Sequence, residues 1–204
     1  MKNIRVILCA LALLVCTAAH AEFRWGPTVG ANYCNMQFKQ DLFTVDKIYS
    51  PVGGVTGEMM FPGIGFGIDI SALYSMGGAK MHLGEKKIWA VDGYGTENVF
   101  THNFEIPINL RFKWTRMNGF EEILAPYVFG GPTMAIRVGH SSIDAVDFSG
   151  GYLGLQCGVG IEIKQHFQIQ GQYMWGMTYA LKMSKLIDES ARNRSWQLRV
   201  AYLF

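Results

Sequence analysis

The chain has 204 residues, of which half are apolar, 24 are glycine and only 17% are charged. Globular proteins carry about 25% charged residues and about 7% glycine, so this is not the composition of an ordinary cytosolic protein. High hydrophobicity with little net charge also excludes a disordered chain. Two of the 18 basic residues, Lys2 and Arg5, lie at the extreme N terminus, and the 16 that remain balance the 16 acidic residues. A neutral chain gives no electrostatic reason to expect nucleic-acid binding.

The first 21 residues have the pattern of a cleavable secretory signal. A basic start is followed by a short apolar run, and Ala19 and Ala21 supply the small residues that a signal peptidase reads. The run is too short to span a hydrocarbon core of about 30 Å as an anchor. Lipoprotein processing at Cys16 is disfavoured, because Val15 stands where a small residue is normal. We therefore expect a signal peptide over 1–21 and one exported domain over 22–204.

The exported part repeatedly alternates apolar and polar residues, which is the signature of β-strands. In residues 100–114, seven of the eight positions on one face are apolar, and none of the seven on the other is a large apolar residue. No helix could bury that pattern on one side, and no stretch of 18 apolar residues predicts a membrane helix. The sequence Gly130-Gly131-Pro132 predicts a bulge. The pattern predicts eight strands: 23–33, 51–61, 64–74, 100–114, 125–136, 148–163, 167–177 and 195–204.

The connections between these strands alternate in length, as they do in outer-membrane barrels, which have long external loops and short periplasmic turns. The connection 115–124 is the exception, because it is longer than a typical periplasmic turn. An even number of strands places both termini on the short-turn side. In chain order the predicted connections are 34–50, 62–63, 75–98, 115–124, 137–147, 164–166 and 178–193.

The polar face of the strands indicates which way the barrel faces. A soluble, lipocalin-like periplasmic barrel would point its apolar face inward, and a membrane barrel points it outward. The polar face mixes charges of both signs with glycines, which suits a narrow lumen where buried charges must pair. We therefore predict an all-β fold, an eight-stranded antiparallel up-and-down transmembrane β-barrel, whose lumen is filled by ion pairs and does not conduct. The predicted lumen charges are Arg24, Glu58, Asp69, Glu105, Arg111, Lys113, Glu162 and Arg199.

Aromatic residues mark the strand ends. Four tryptophans fall where girdles lie at the lipid–water boundary, and they are Trp25, Trp114, Trp175 and Trp196. The chain ends with Tyr202 and Phe204 on the apolar face, which resembles the terminal signal that the barrel-assembly machinery recognises in outer-membrane proteins. Cys34 and Cys157 are predicted at different places on the barrel, too far apart for a disulfide.

Three strand motifs resemble those of the PorT-type outer-membrane β-barrel family. Residues 104–112 read FEIPINLRF, residues 126–132 read PYVFGGP, and residues 158–162 read GVGIE. The resemblance also explains Pro107, which is unusual inside a central strand. It implies an outer-membrane location and a barrel architecture. The secretion-system role of the family's namesake is not implied.

One arrangement suggests an enzyme. His140 and Ser142 are two residues apart, as a base and a nucleophile on one face of a strand would be, and lipid A deacylases are eight-stranded barrels with a similar pair. The ordinary interpretation is a polar surface loop. The candidate acids are Asp144, Asp147 and Glu162. No spacing of His or Cys residues predicts a metal, and we expect no cofactor.

We therefore expect a non-enzymatic outer-membrane protein of structural, adhesive or interaction type, acting through loops 34–50, 75–98, 137–147 and 178–193. Lipid A modification, a narrow pore and a soluble ligand carrier are the alternatives. Expected partners are outer-membrane lipids and lipopolysaccharide, the barrel-assembly machinery during insertion, and an extracellular protein or glycan, with the protein a monomer. Exposed aromatic and basic residues favour 75–98 as the contact loop: Met76, Met81, Trp89 and Tyr94, beside Lys80, Lys86 and Lys87.

Overall fold

The computed structural model describes residues 22–38, 44–63, 65–82, 84, 95–141, 146–179, 181–183 and 190–204. The predicted signal at 1–21 lies outside these residues. The elements in chain order are β1 (Glu22–Phe38), β2 (Val45–Asp46), β3 (Ile48–Met60), β4 (Phe66–His82), β5 (Thr96–Lys113), a 3₁₀ turn (Phe120–Glu122), β6 (Leu124–His140), β7 (Val146–Phe148), β8 (Gly151–Ile163), β9 (Phe167–Gly176), β10 (Leu181–Met183) and β11 (Ser190–Tyr202).

The eight long strands form a closed antiparallel barrel. Their order is β1-β3-β4-β5-β6-β8-β9-β11, and β11 pairs back onto β1 from Thr28↔Ala201 to Phe38↔Ala191. Closure leaves the barrel wall without a free edge, as a hydrocarbon surrounding requires. Both ends of the barrel domain lie at the short-turn end, where the Phe204 N–H donates to the Trp25 carbonyl oxygen at 2.9 Å. The predicted fold class is confirmed.

The strands run further at the long-loop end than the alternation predicts. β4 continues to His82 and β5 begins at Thr96, so the connection predicted at 75–98 shortens to 83–95. Beyond the lipid-facing part of the barrel, the outward side chains no longer need to be apolar. The alternation therefore fades before the hydrogen-bonded ladder ends.

Three connections of the long-loop end add strands to the barrel wall. β10 pairs with β11, and β7 pairs with β10 through Leu181↔Phe148, so the sheet continues from β11 through β10 to β7. β2 pairs with the end of β4, with Val45 opposite Met81. The polar connections therefore fold partly against each other and against the barrel rim.

The bulge predicted at 130–132 is wrong. Pairing of β6 with β8 runs without a shift from Leu124↔Ile163 to Ile136↔Gly151. The register of β5 against β6 shifts instead between His102 and Asn103, near the loop end. Gly131 is instead required by the close approach of two strands, because it lies so near the Ile108 carbonyl that no Cβ fits there.

Polar side chains face the interior of the barrel and apolar side chains face outward. Glu58 and Arg111 have no exposed surface, whereas Leu110, Val159 and Leu198 are each about 60% exposed. A soluble barrel would have the reverse arrangement, because exposed apolar surface is costly in water. The lipocalin-like alternative is therefore wrong. Among the described residues no helix has the length and hydropathy to cross a membrane.

Aromatic rings form a girdle at each end of the outward apolar band. At the short-turn end the ring centroids of Trp25 and Phe204 are 5.8 Å apart and those of Phe167 and Tyr202 are 4.9 Å apart. At the loop end, Tyr173 lies 4.8 Å from Trp196. Trp114 belongs to the first girdle and Trp175 to the second. These girdles place the two lipid–water boundaries on the barrel.

Candidate functional site

The lumen at the short-turn end holds a cluster of charged side chains delivered by several strands. Arg24 of β1 is in register with Glu58 of β3, which is in register with Asp69 of β4. Strand alternation turns these three side chains inward, and it does the same for the charged residues of β5 and β8. We call the group the lumen cluster; it comprises Arg24, Glu58, Asp69, Arg111, Lys113 and Glu162.

Glu58 lies at the centre of the lumen cluster. Its carboxylate accepts hydrogen bonds from Arg24 Nη2 at 2.6 Å and from Lys113 Nζ at 2.9 Å, and it also contacts Arg111 Nη1. The Glu58 side chain has no solvent-exposed surface. A carboxylate buried this deeply is tolerated only when cations and hydrogen-bond donors surround it.

The remaining carboxylates complete the charge balance of the lumen cluster. Arg111 Nη2 lies 2.8 Å from Asp69 Oδ2. Glu162 Oε2 accepts from Lys113 Nζ at 2.8 Å and from Arg24 Nη2 at 3.0 Å. Three cations thus face three carboxylates, so the lumen cluster is neutral at pH 7 and needs no counter-ion to remain buried.

Two of the eight predicted lumen charges lie inside the barrel without a direct ion pair among the described residues. Glu105 accepts from the Tyr152 hydroxyl at 3.1 Å and from Gln197 Nε2 at 3.4 Å. Arg199 donates to the Gln172 side chain. Neutral amides and a phenol therefore solvate these charges, where the sequence predicted charge pairing.

Amide side chains connect three strands across the interior. Gln172 Nε2 of β9 donates to Gln156 Oε1 of β8 at 3.0 Å, and Gln156 Nε2 donates to Asn109 Oδ1 of β5 at 2.8 Å. The predicted lumen residues did not include these amides, although Gln168, Gln170 and Gln172 recur at every second position of one strand. That recurrence places all three on the lumen face.

Aromatic rings fill the space that lumen glycines leave. The Tyr127 ring lies over Gly160, where a Cβ would overlap it. The Arg111 guanidinium stacks 4.0 Å from the centroid of the same ring. At this level the cross-section of the barrel is occupied by packed side chains, as expected for eight strands.

A vestibule of about 350 Å³ opens from the lumen cluster to the short-turn end, and Arg24, Lys113 and Glu162 lie on its floor. Its rim includes Glu121, whose Oε2 accepts from the backbone N–H groups of Met117 and Gly119 at 3.0 and 2.9 Å. Hydrogen bonds from backbone N–H groups, its own first, lower the pKa of Glu121 below its ordinary value. The long connection 114–123 is therefore an ordered turn at the mouth of the vestibule.

Of the residues named for the enzyme alternative, the structure describes the side chains of His140 and Glu162 alone, and these do not come together. Ser142 and Asp144 lie outside the described residues, as does the Asp147 side chain. His140 is at the loop end of β6, whereas Glu162 is bound to Lys113 at the opposite end of the barrel. Within the described ranges, no three His, Cys, Asp or Glu residues form a group that could hold a metal ion.

The residues predicted for the contact loop are separated. Met81 has no exposed surface, because it lies on the inward face of β4, as the buried Ala79 two positions before it does. The prediction that Met81 is exposed is wrong. Met76 is partly buried on the outer face of β4, and Lys80 is opposite Asp46 of β2. Four predicted residues lie outside the described part of the chain, and they are Lys86, Lys87, Trp89 and Tyr94.

The two cysteines face opposite sides of the barrel wall. Cys34 is buried inside and Cys157 is exposed on the outer surface, and both are free thiols. Side chains on opposite faces of a closed sheet cannot meet without breaking the wall.

The geometry is that of an outer-membrane protein, and comparison with known families agrees. A family model described as "Outer membrane protein beta-barrel domain" matches residues 7–204. The chain belongs to this family. Membership places the barrel in the outer membrane, with its apolar band in lipid and its short turns on the periplasmic side.

Solved structures of outer-membrane proteins match the chain at low sequence identity. The outer-membrane protein OprG of Pseudomonas aeruginosa matches with a TM-score of 0.53 and 12% identity, over 89% of this chain and 94% of that chain. Ail, the attachment invasion locus protein of Yersinia pestis, in complex with the heparin analogue sucrose octasulfate, matches with a TM-score of 0.47 and 15% identity, over 90% of this chain and 99% of that chain. The outer-membrane enzyme PagL matches with a TM-score of 0.49 and 10% identity, over 86% of this chain and 98% of that chain. No curated protein matches the chain.

Proposed function

We propose that this outer-membrane barrel is a non-enzymatic interaction protein that meets an extracellular protein or glycan with its loop end. One observation carries the proposal: the sheet does not stop at the barrel rim but continues from β11 through β10 to β7. A sheet that projects above the membrane offers backbone hydrogen-bonding groups and side chains for recognition. The packed lumen supports the same conclusion, since it leaves the outer surface as the part of the protein that can meet a partner.

The test removes the projection and keeps the barrel. Connections 141–150 and 177–189 are replaced by short Asn-Gly turns, and the matched control replaces the short-turn connection 61–65 in the same way. Cells carrying each variant are applied to immobilised fibronectin, mucin and heparin. We expect adherence by the parent and by the control, and loss of adherence when the two loops are trimmed.

Folding of each variant is checked by the change in gel migration on boiling, which reports a closed barrel. Equal adherence of the trimmed variant and the parent would refute the proposal. So would adherence by the parent no greater than that of cells without the protein.

We further propose that the chain is of the PorT type within its family. Residues 104–112, 126–132 and 158–162 support this, because they lie on the consecutive barrel strands β5, β6 and β8. Their charged members Glu105, Arg111 and Glu162 all face the lumen, and Pro107 is buried there. The residues that resemble the family therefore lie mostly in the barrel interior. They account for a common architecture, and they place no constraint on the extracellular partner.

The N-terminal signal at 1–21 and the C-terminal residues Tyr202 and Phe204 are proposed to act in export and assembly. The Phe204 ring packs 5.8 Å from Trp25 and 5.1 Å from Tyr202. In the folded barrel this end is paired on both sides, so the barrel-assembly machinery would read it before closure. We propose that the assembled protein is a monomer surrounded by outer-membrane lipids and lipopolysaccharide.

A further inference from the structure

The outer face of four neighbouring strands carries an unbroken aromatic row. Tyr49 of β3, Tyr33 of β1, Trp196 of β11 and Tyr173 of β9 are directly in register. The rings of Tyr33 and Tyr49 stack at 4.6 Å, and those of Tyr173 and Trp196 lie 4.8 Å apart. This row belongs to the loop-end girdle and marks the level at which acyl chains give way to lipid headgroups.

Basic residues stand one step above this row, on the side of the headgroups. Arg194 is in register with Asn35 of β1, and Lys47 immediately precedes Ile48, which pairs with Cys34. The Lys47 Nζ lies 5.2 Å from the centroid of the Tyr33 ring. Arg192 is one outward position further along β11, with its guanidinium 5.1 Å from the Tyr179 ring. We call Lys47, Arg192 and Arg194 the outer basic row.

One donor of these basic side chains has no partner among the described residues. Arg194 Nε is shielded from bulk solvent, yet no described residue accepts its hydrogen bond. A guanidinium donor without an acceptor is costly, and a phosphate oxygen would supply the acceptor. In the described part of β1, β3, β9 and β11, the outward positions contain no carboxylate. The adjacent Asp46 is bound to His82 Nε2 at 3.0 Å.

We propose that the outer basic row binds the phosphate groups of a phosphorylated glycolipid in the outer leaflet. Arginine guanidinium groups match phosphate oxygens in a bidentate geometry, and lysine adds a point charge. The outward apolar side chains below the aromatic row would contact the acyl chains of the same lipid, and Val29, Val55 and Leu198 are exposed there. One lipid would thus lie along β3, β1 and β11 with its headgroup at Lys47 and Arg194. This site is separate from the loop surface in the proposed function.

The experiment measures lipid retention by the folded protein in detergent micelles, using native mass spectrometry. The probes are bis-phosphorylated lipid A, its dephosphorylated form and phosphatidylcholine. The test variant is R192Q/R194Q. The matched control is R116Q, because Arg116 is an exposed arginine at the opposite end, where it donates to the Gly63 carbonyl. K47Q is a second, independent variant, and the gel shift on boiling confirms that each barrel is closed.

We expect the parent and R116Q to bind bis-phosphorylated lipid A with equal affinity. Each basic residue near an anionic lipid surface contributes about fivefold, so R192Q/R194Q weakens binding about 30-fold and K47Q about fivefold. Dephosphorylated lipid A should bind all variants equally and weakly. Equal affinity of R192Q/R194Q and the parent would overturn the proposal. An equally large loss of lipid A affinity in R116Q would also overturn it, as would equal retention of the phosphorylated and dephosphorylated lipids. Displacement of lipid A by millimolar inorganic phosphate would indicate instead a site for free phosphate.

Discussion

Replacing Glu58 by glutamine would convert a balanced lumen cluster into one with an excess positive charge. Glu58 contacts three cations, and its side chain has no exposed surface. Removing one partner of a buried ion pair typically costs about 3–5 kcal/mol, because the remaining charge loses its partner and cannot reach water. We expect Glu58→Gln to lower the free energy of unfolding by an amount in this range. Glutamine keeps the volume of the side chain but replaces one acceptor oxygen by an NH2 group that faces donors, so the loss reports the charge with its hydrogen bonds and not a cavity.

The assay is urea unfolding of the purified protein in phosphatidylcholine vesicles, followed by tryptophan fluorescence. The matched control is Glu22→Gln, because Glu22 faces the same Arg24 across 3.6 Å but its side chain is 73% exposed. An exposed pair contributes about 0–1 kcal/mol, so this variant should be close to the parent. The double variant Glu58→Gln/Lys113→Met restores neutrality and should recover part of the loss, with a coupling of about 1–3 kcal/mol.

If the free energies of unfolding of Glu58→Gln and Glu22→Gln differ by less than about 1 kcal/mol, the buried charge has little energetic role. The same conclusion holds if the double variant is no more stable than the sum of its two single changes predicts. Either result would mean that packing of the side chains, and not their charge balance, stabilises the lumen.

Three further predictions follow from the same geometry. Phe204→Ala should reduce the amount of heat-shifting protein in the outer membrane several-fold, yet leave its unassisted folding into vesicles unchanged. The control Phe167→Ala, in the same girdle, should change neither quantity. Equal losses of Phe204→Ala in both assays would make Phe204 only a packing residue. In folded protein, a lipophilic maleimide should label Cys157 and not Cys34, by mass spectrometry of peptides, and labelling of Cys34 without denaturation would contradict its burial. In planar bilayers the parent should give no stepwise current, and a stable unit conductance would show that the packed lumen opens.

The sequence predicted the barrel because alternation depends on neighbouring residues alone. In 100–114 the residue type at each position reports which side of the wall it faces, and this is sufficient to place Glu105, Arg111 and Lys113 in the lumen. Cys34 and Cys157 were expected to be apart because of their positions along the barrel, and the structure separates them by the face of the wall as well. Strand number, inside–outside orientation and the set of lumen charges follow from this local signal.

The pairing within the lumen cluster could not be predicted in the same way. Arg24 and Glu162 are 138 residues apart in the chain, and their contact exists only after the barrel closes with a particular register between all its strands. A shift of two residues at one seam would preserve every face assignment yet give Glu58 different partners. The sequence therefore indicates that the lumen charges pair, but the register decides that six of them form a cluster while Glu105 and Arg199 bind amides and a phenol.

The loop end was predicted least well, because there the alternation loses its physical cause. Outward residues above the lipid band can be polar, as Lys80 and Arg192 are, while the inward Met81 is buried under the rim. An apolar residue in this region is therefore predicted to be an exposed loop residue, although it lies on the inward face of a strand. The outer basic row was missed for a related reason. Its members come from β11 and from the residue preceding β3, and only the register of both strands against β1 aligns them.

The lumen cluster, the outer basic row and the projecting sheet lie at three heights of one barrel, so their functions are experimentally separable. Glu58→Gln changes a buried charge near the periplasmic end, and it should lower stability without affecting lipid retention at the opposite girdle. R192Q/R194Q changes solvent-facing and headgroup-facing groups, so it should affect lipid retention without a comparable loss of stability in phosphatidylcholine. Trimming the loops should abolish adherence without lowering the free energy of unfolding; it also removes Tyr179 beside Arg192, so lipid retention is compared only among barrels with intact loops. Distant sites that share no partners contribute additively, so a cross-effect larger than about 0.5 kcal/mol between the first two would show that lipid binding is coupled to packing of the lumen.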